Sequence, residues 1–317
     1  MAPITPSILL TALILDLLLG DPRRLPHPVV GIGRLISALE GILRRLVRDE
    51  LSGGAVLLVG VVGTTWLLTF FALKGAYAVH PFLGFSAAAW LSYTCLAARS
   101  LHAESKLVAD RLSAGDLDGA RYYLSRIVGR DTDGLTEHEM WRALVETVAE
   151  NTSDGVIAPL FYLMLGGPAL GLAYKAVNTL ESMVGYRNER YLLIGRASAR
   201  FDDLANWIPA RLTGLLVVAA APLVGLSARG AFRIMLRDRG NHSSPNSGFP
   251  EAAAAGALGV RLGGTNRYFG KPVEKPTIGD PQRELSLDSY RGSVRLMYGA
   301  AALLVAVWGI LLAALNL

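Results

Sequence analysis

Four stretches of this chain, residues 55–73, 81–98, 208–226 and 297–317, are long and apolar enough to cross a bilayer. A hydrocarbon core of ~30 Å is spanned by about 20 consecutive apolar residues in a helix. Within that core every backbone N–H and C=O must be satisfied inside the protein, which leaves helices and closed barrels as the spanning solutions. These runs are roughly twice as long as a spanning strand, so helices are expected. A fifth run, residues 3–19, is slightly short and carries Asp16 near its end. It lacks a basic leading region and a small-residue cleavage site, and it reads as a retained helix rather than a signal peptide. Hydrophobic residues make up 52% of the chain and are clustered rather than spread periodically. An ordinary soluble enzyme is excluded.

The net charge is +5 and most basic residues are Arg. In a soluble protein that balance raises nucleic-acid binding, but here the bias of basic residues toward cytoplasmic loops accounts for it. The one cysteine, Cys95, lies in an apolar run. A disulfide framework or a Cys-based metal site within one chain is therefore excluded, and Cys95 reads as a buried small hydrophobe.

Between the apolar runs lie four basic polar stretches, residues 20–54, 99–155, 175–206 and 228–296. Each prefers the cytoplasmic side. If 156–174 crosses the bilayer, 175–206 emerges on the wrong side unless 208–226 also crosses, so both cross or neither does. Gly166-Gly167-Pro168 interrupts the first of these segments and Pro222 the second. Such breaks remove helical hydrogen bonds and are tolerated at membrane depth where protein buries them or they line a cavity. Two segments that dip in and return are the favoured reading. The expected fold is all-α: a multipass integral membrane protein forming a single membrane-embedded domain over 1–317. Its apolar segments are about 3–19, 55–73, 81–98, 156–174 (broken), 208–226 (broken) and 297–317, with a polar helical insert at 99–155 and a polar loop at 228–296.

Several constellations carry chemistry. Asp116 is placed to cap a helix ending near Ile127–Val128, with Gly129 just beyond. Thr136 and Glu139 form a capping box, and the helix they open puts Trp141, Leu144, Val145 and Val148 on one stripe. Glu146, Glu150 and Asp154 recur at intervals of four on another face, with Asn151 beside them. Stacked like charges repel by roughly a few tenths of a kcal/mol per pair. A Mg²⁺ ion would relieve that, since oxygen-rich sites suit it; a solvated acidic face is the bland alternative. Lys175 and Asn178 share a helix face flanked by Glu181, opposite Ala176, Leu180, Met183 and Val184. Asp202, Asp203 and Asn206 resemble a second oxygen-ligand set, although Asp203 could equally pair with Arg200 or Arg211. Prolines 22, 26 and 28 stiffen the loop holding His27, which can serve as an acid/base group or make a structural hydrogen bond. The stretch from Ser244 to Glu251, including Asn246 and Ser247, can cradle a phosphate with backbone amides or be only a turn. There is no P-loop and no dinucleotide-binding glycine motif.

The segments DPRRLPHPVVGIGRLI, ENTSDGVIAPLFY, KAVNTLESMVGY, DDLANWIPARL and SPNSGFPEAAAAGALGVRLGG resemble, in order and over nearly the whole chain, the signature segments of the adenosylcobinamide-phosphate synthase (CbiB/CobD) family. The resemblance implies a ligase of cobalamin biosynthesis in the cell membrane, with its active site facing the cytoplasm. Such an enzyme joins (R)-1-aminopropan-2-ol, or its O-phosphate, to the free propionate of adenosylcobyric acid at the expense of ATP. The partners implied are the corrinoid, the amino alcohol, ATP with Mg²⁺ and the lipid bilayer, with no nucleic acid. A second copy of the chain and other enzymes of the pathway are further candidates.

Residue type then assigns roles. Glu146, Glu150 and Asp154 are expected to hold Mg²⁺–ATP, with Asp202 and Asp203 in reserve. Lys175, Arg187 and Arg211 are candidate phosphate partners, and His27 or Glu181 would take the amine proton. Asn151, Asn178, Asn206 and Asn246 are expected to meet the amide rim of the corrin. A transporter or a membrane sensor could use the same broken helices, but the internal repeats that would support a transporter are absent from the sequence.

Overall fold

The computed structural model describes residues 4–21, 27–186, 188–268 and 270–315. Its helices begin with α1 (Pro6–Leu19), α2 (Pro28–Leu46), α3 (Glu50–Val79) and α4 (Pro81–Tyr93). They continue with α5 (Ala98–Ser113), α6 (Leu117–Leu124), α7 (Glu137–Asn151), a π-helical turn (Thr152–Ile157) and α8 (Ala158–Val184). The rest of the chain forms α9 (Arg196–Ala205), α10 (Trp207–Ala220), a 3-10 turn (Pro222–Val224), α11 (Ala228–Asp238), α12 (Gly248–Leu258) and α13 (Leu287–Ala314). Among the described residues the strands form two short antiparallel pairs, β1 (Leu262–Gly263) with β4 (Thr277–Ile278), and β2 (Asn266–Tyr268) with β3 (Lys271–Val273). The protein is all-α, as its sequence predicts. Among the described residues four stretches are long and apolar enough to cross a membrane: Glu50–Val79, Pro81–Ser113, Glu137–Val184 and Leu287–Ala314; the run expected at 208–226 forms only the 14-residue α10 before its break. Only 22% of the apolar window of α3 and 28% of that of α13 is buried inside the protein, which leaves broad greasy faces for lipid.

The single domain expected over 1–317 divides into two compact units, each discontinuous in sequence. The first comprises Met1–Ala97 and Ala158–Asn206. Proline and a capping side chain set its helix starts: Thr5 caps α1 ahead of Pro6, His27 caps α2 ahead of Pro28, and His80 precedes Pro81 of α4. A proline at the first helical position has no N–H to leave unsatisfied, and its φ suits a helix. The core of this unit joins Ile32 and Ile36 of α2, Leu57 and Val61 of α3, and Ala176, Leu180 and Val184 of α8, with Met183 packed against them. That is the apolar face expected for 175–184. The expected break in 156–174 is present: Gly166 (φ −147°, ψ 21°) and Gly167 (φ 65°, ψ −163°) leave helical geometry just before Pro168. Cys95 is buried and free, as read from the sequence.

The second unit comprises Ala98–Ile157 and Trp207–Leu317. The expected capping box opens α7, with the Glu139 amide donating to Thr136 Oγ1 at 3.3 Å and the Thr136 amide donating to Glu139 Oε2 at 2.8 Å. Asp116 caps α6 through the Gly119 amide at 2.9 Å, but the helix ends at Leu124 rather than near Ile127–Val128, and Gly129 does not terminate it. The break expected at Pro222 is the 3-10 turn after α10. The stretch 228–296, expected as a polar loop, instead folds into α11, α12, the two strand pairs and the first turns of α13. Its helix α12 carries Ala252–Ala255 and is buried at every residue but Phe249. It packs on α11 through Gly230 and Gly256, where a Cβ on either residue would overlap the carbonyl oxygen of the other. Gly256→Ala is expected to destabilise the protein by about 1–3 kcal/mol, the usual cost of overpacking. Thermal unfolding in detergent would read this, and an unchanged melting temperature would contradict the close approach.

Candidate active site

In the second unit a cavity of about 160 Å³ is lined by α7, α12, the loop before α12 and the strand pairs. Helix α7 contributes Glu146, Glu150 and Asn151; α12 contributes Glu251; the loop contributes His242; and Lys275 and Tyr268 come from the strand region. The small residues of α12 let it enter the core, and Glu251 at its head is carried in with it, 3% exposed.

Each carboxylate in the cavity is held differently. Glu146 accepts from Arg130 at 2.6 Å and from the Gly263 amide at 2.8 Å, with Arg142 at 3.9 Å. Burial works against the charge on Arg130, but the adjacent Glu146 outweighs it and raises its pKa. Glu150 accepts from the Ser247 hydroxyl at 2.9 Å. Glu251 lies 3.7 Å from His242 Nε2. Burial raises its pKa well above the ordinary carboxylate range, and the negative charges of Glu150 and Glu146 push it further the same way. His242 is shifted in the opposite direction: burial lowers its pKa, with Lys275 adding to this and Glu150 opposing it. Its Nδ1 accepts from the Ser244 amide at 3.0 Å, so the proton of the neutral ring sits on Nε2, facing Glu251. Glu251 is thus the proton acceptor of the pair, and His242 positions it.

The expected Mg²⁺ triad of Glu146, Glu150 and Asp154 is not assembled. Among the described residues no three His, Cys, Asp or Glu side chains are gathered as a metal site. The π-helical turn, which contains Asp154, breaks the interval of four, while Glu146 is committed to arginine and Glu150 to Ser247. The reserve set at Asp202 and Asp203 is likewise not a metal cluster; Asp202 accepts from Asn206 Nδ2 at 3.1 Å, and Asn206 Oδ1 accepts from Tyr174 at 2.9 Å. The Ser244–Glu251 stretch is not an open phosphate cradle either. The amides of Asn246 and Ser247 already donate to Ser244 Oγ at 3.2 and 3.4 Å, and the neighbouring carboxylates repel an anion.

Asn151 lines the cavity and donates to its own helix at Thr147 O, 2.9 Å away. Arg211 spends its guanidinium on Trp207 O at 2.7 Å and Asn246 Oδ1 at 3.4 Å, between the rings of Trp207 and Phe249. His27, Lys175, Asn178, Glu181, Asp202, Asp203 and Asn206 belong to the first unit. There His27 Nδ1 accepts from Val29 N at 3.3 Å, which makes it a helix cap, and Lys175 Nζ lies 3.5 Å from Asn178 Oδ1. Arg187 lies outside the described residues.

Sequence reasoning passed over His242, gave Glu251 no role, and missed Arg130 and Lys275. The signal for Glu251 was the alanine run behind it: a helix smooth on every side is buried, and the charged residue at its head goes in with it. Lys275 stands in a stretch with no periodicity to place it.

Residues 9–297 match the family described as CobD/Cbib protein. A "Cobalamin biosynthesis protein CobD" of Geobacter metallireducens is 69% identical over 299 residues, covering 94% of each chain. A protein of the same name from Pelobacter propionicus is 59% identical over 310 residues, covering 98% of this chain and 96% of the relative. A "Cobalamin biosynthesis protein CbiB" of Salmonella arizonae is 51% identical over 300 residues, covering 94% of each. No solved structure matches this chain. With the family match running from α1 into α13, and identity of half or more along that length, the chain belongs to the CobD/Cbib protein family.

Proposed function

We propose that this membrane protein acts in cobalamin biosynthesis as an ATP-dependent ligase. In this reading it forms the amide between 1-aminopropan-2-ol, or its O-phosphate, and the free propionate of adenosylcobyric acid. The observation that carries the reading is the buried Glu251 in a small acidic cavity. Glu150 and Glu251 supply oxygen acceptors for an alkyl ammonium, Glu146 being paired with Arg130, and only the unprotonated amine attacks a carbonyl carbon. A volume of 160 Å³ equals about five waters at roughly 30 Å³ each. That suits a three-carbon amino alcohol and leaves a corrin macrocycle outside.

The propionate oxygen takes the γ-phosphoryl group of ATP, giving an acyl phosphate and ADP. The amine nitrogen attacks the acyl carbon, the C–N bond forms, and the C–O bond to phosphate breaks to release inorganic phosphate. Before attack the bound ammonium gives one proton to the Glu251 carboxylate, which lies 3.7 Å from His242 Nε2, and the proton released as the amide forms leaves with the departing phosphate. A base whose proton affinity is raised toward the working pH suits this transfer. Membership of a family whose relatives are named for cobalamin biosynthesis supports the substrate class. The test is incubation of the purified protein with adenosylcobyric acid, the amine or its phosphate, and Mg²⁺–ATP, with amide product read by mass spectrometry. Absence of both product and nucleotide hydrolysis would refute the ligase.

A further inference from the structure

The small cavity mixes carboxylates with Arg130 and Lys275, and the same unit has a second opening of different character. A groove of about 660 Å³ runs beside the start of α11 and the end of α12, and its lining includes Arg229, Arg233 and Arg283 but no carboxylate. That volume lies within the range of roughly 300–1,000 Å³ typical of small-molecule sites. Arg233 is 3.3 Å from Asp280, whereas Arg229 and Arg283 have no ion pair among the described residues. Their guanidiniums stand exposed at the lip. The groove also contains the N-terminus of α11, an eleven-residue helix. There Ser227 Oγ takes the Gly230 amide at 2.9 Å, and the first-turn amides of Ala228 and Arg229 stay outside the helical ladder. A helix start carries partial positive charge, so amides and guanidiniums point to the same ligand charge.

We propose that this arginine groove binds a polyphosphate anion, with Arg229 and Arg283 as its principal ligands and the nucleoside triphosphate of the reaction as its source. The proposal rests on the ligase reading for the identity of the nucleotide, but not for the anion chemistry. It gives the triphosphate a lining of cations without carboxylates, whereas the smaller cavity mixes both signs. Helix α12 serves both openings, Glu251 lining one and Gly256 the other. Those residues are separated by five positions, or about 8 Å of helix rise.

The test is binding to the full-length protein, wild type and an Arg229→Ala/Arg283→Ala double variant, with inorganic tripolyphosphate and Mg²⁺–ATP as probes. Both side chains are exposed, so the variant should melt like the wild type. Saturable binding that weakens at least 10-fold in the variant, and declines with salt in the wild type as exposed charge pairs do, is the expected result. Equal affinity in the two proteins would overturn the proposal. So would a wild type that ignores both probes yet is stabilised by phosphatidylglycerol nanodiscs in an arginine-dependent way, since the groove would then be a lipid headgroup site. An amide-forming variant with an unchanged KM for ATP would sink the groove and leave the ligase reading standing. Arginine-dependent tripolyphosphate binding in a protein that forms no amide would do the reverse.

Discussion

Glu251→Gln is expected to cut amide formation by about 10²–10⁴-fold, the usual contribution of a positioned general base, with the protein still folded. Gln keeps the shape and a side-chain oxygen near His242 but cannot take a proton. In the wild type the rate should rise with pH through the elevated pKa of Glu251, because the unprotonated form is the base. The acid limb of the kcat/KM profile should therefore lie well above the ordinary carboxylate value of about 4.3, and in the variant that limb should vanish. Stability carries the same signature. Burial, with Glu150 and Glu146 behind it, raises the folded-state pKa of Glu251 above its unfolded value. Its contribution to stability is therefore full below the unfolded pKa and lost as pH rises through the folded one. His242, lowered by burial, works in the opposite sense and contributes less as pH falls below about 6.5. Glu251→Gln should flatten the decline on the alkaline side of the stability curve. A variant with wild-type rate, or with an unmoved acid limb, would remove Glu251 from the chemistry.

Much of the fold could be read from periodicity and length. The lipid-length helices, the Thr136–Glu139 box and the breaks at Gly166-Gly167-Pro168 and Pro222 depend on local chemistry that a sequence displays directly. The site was legible only in part. Glu146 and Glu150 were found because an interval of four on a helix is visible, but their partners were not, since Arg130, Gly263 and Ser247 come from 16, 117 and 97 positions away. The missing step was tertiary: two short strand pairs and an alanine-lined helix bring the far end of the chain onto α7. The same contacts leave Glu146, already held by a guanidinium and a backbone amide, with little for a cation, and no three such side chains are gathered among the described residues. At His27 the structure shows the structural hydrogen bond that the sequence offered beside an acid/base role. A histidine between prolines looks deliberately placed, and it is, but as a helix cap.

Glu146→Ala is expected to be among the most destabilising single substitutions in this chain. Its carboxylate is the meeting point of Arg130, Arg142 and the Gly263 amide. Arg130 also donates to Asn266 Oδ1 at 2.8 Å, and Arg142 donates to Thr265 O at 2.9 Å and to the Gly263 carbonyl. These bonds fasten the strand region to α7. The side chains of Glu146 and Arg130 are only 6% and 12% exposed. Removing the carboxylate leaves a buried guanidinium without its counter-charge, which costs about 3–5 kcal/mol. Much of that cost is the stranded cation rather than the attraction itself, so the remedy is to remove both charges. Arg130→Met combined with Glu146→Leu should recover most of the lost stability, because well-packed apolar pairs replace buried ion pairs at little cost. Thermal unfolding in detergent would check this through a double-mutant cycle. If Glu146 were instead a metal ligand, Glu146→Ala would leave the melting temperature of metal-free protein nearly unchanged, and the double variant would be no better than the single. The expected order is wild type, then the double variant, then Glu146→Ala, and it places Glu146 in the frame that holds Glu251 and the cavity in position.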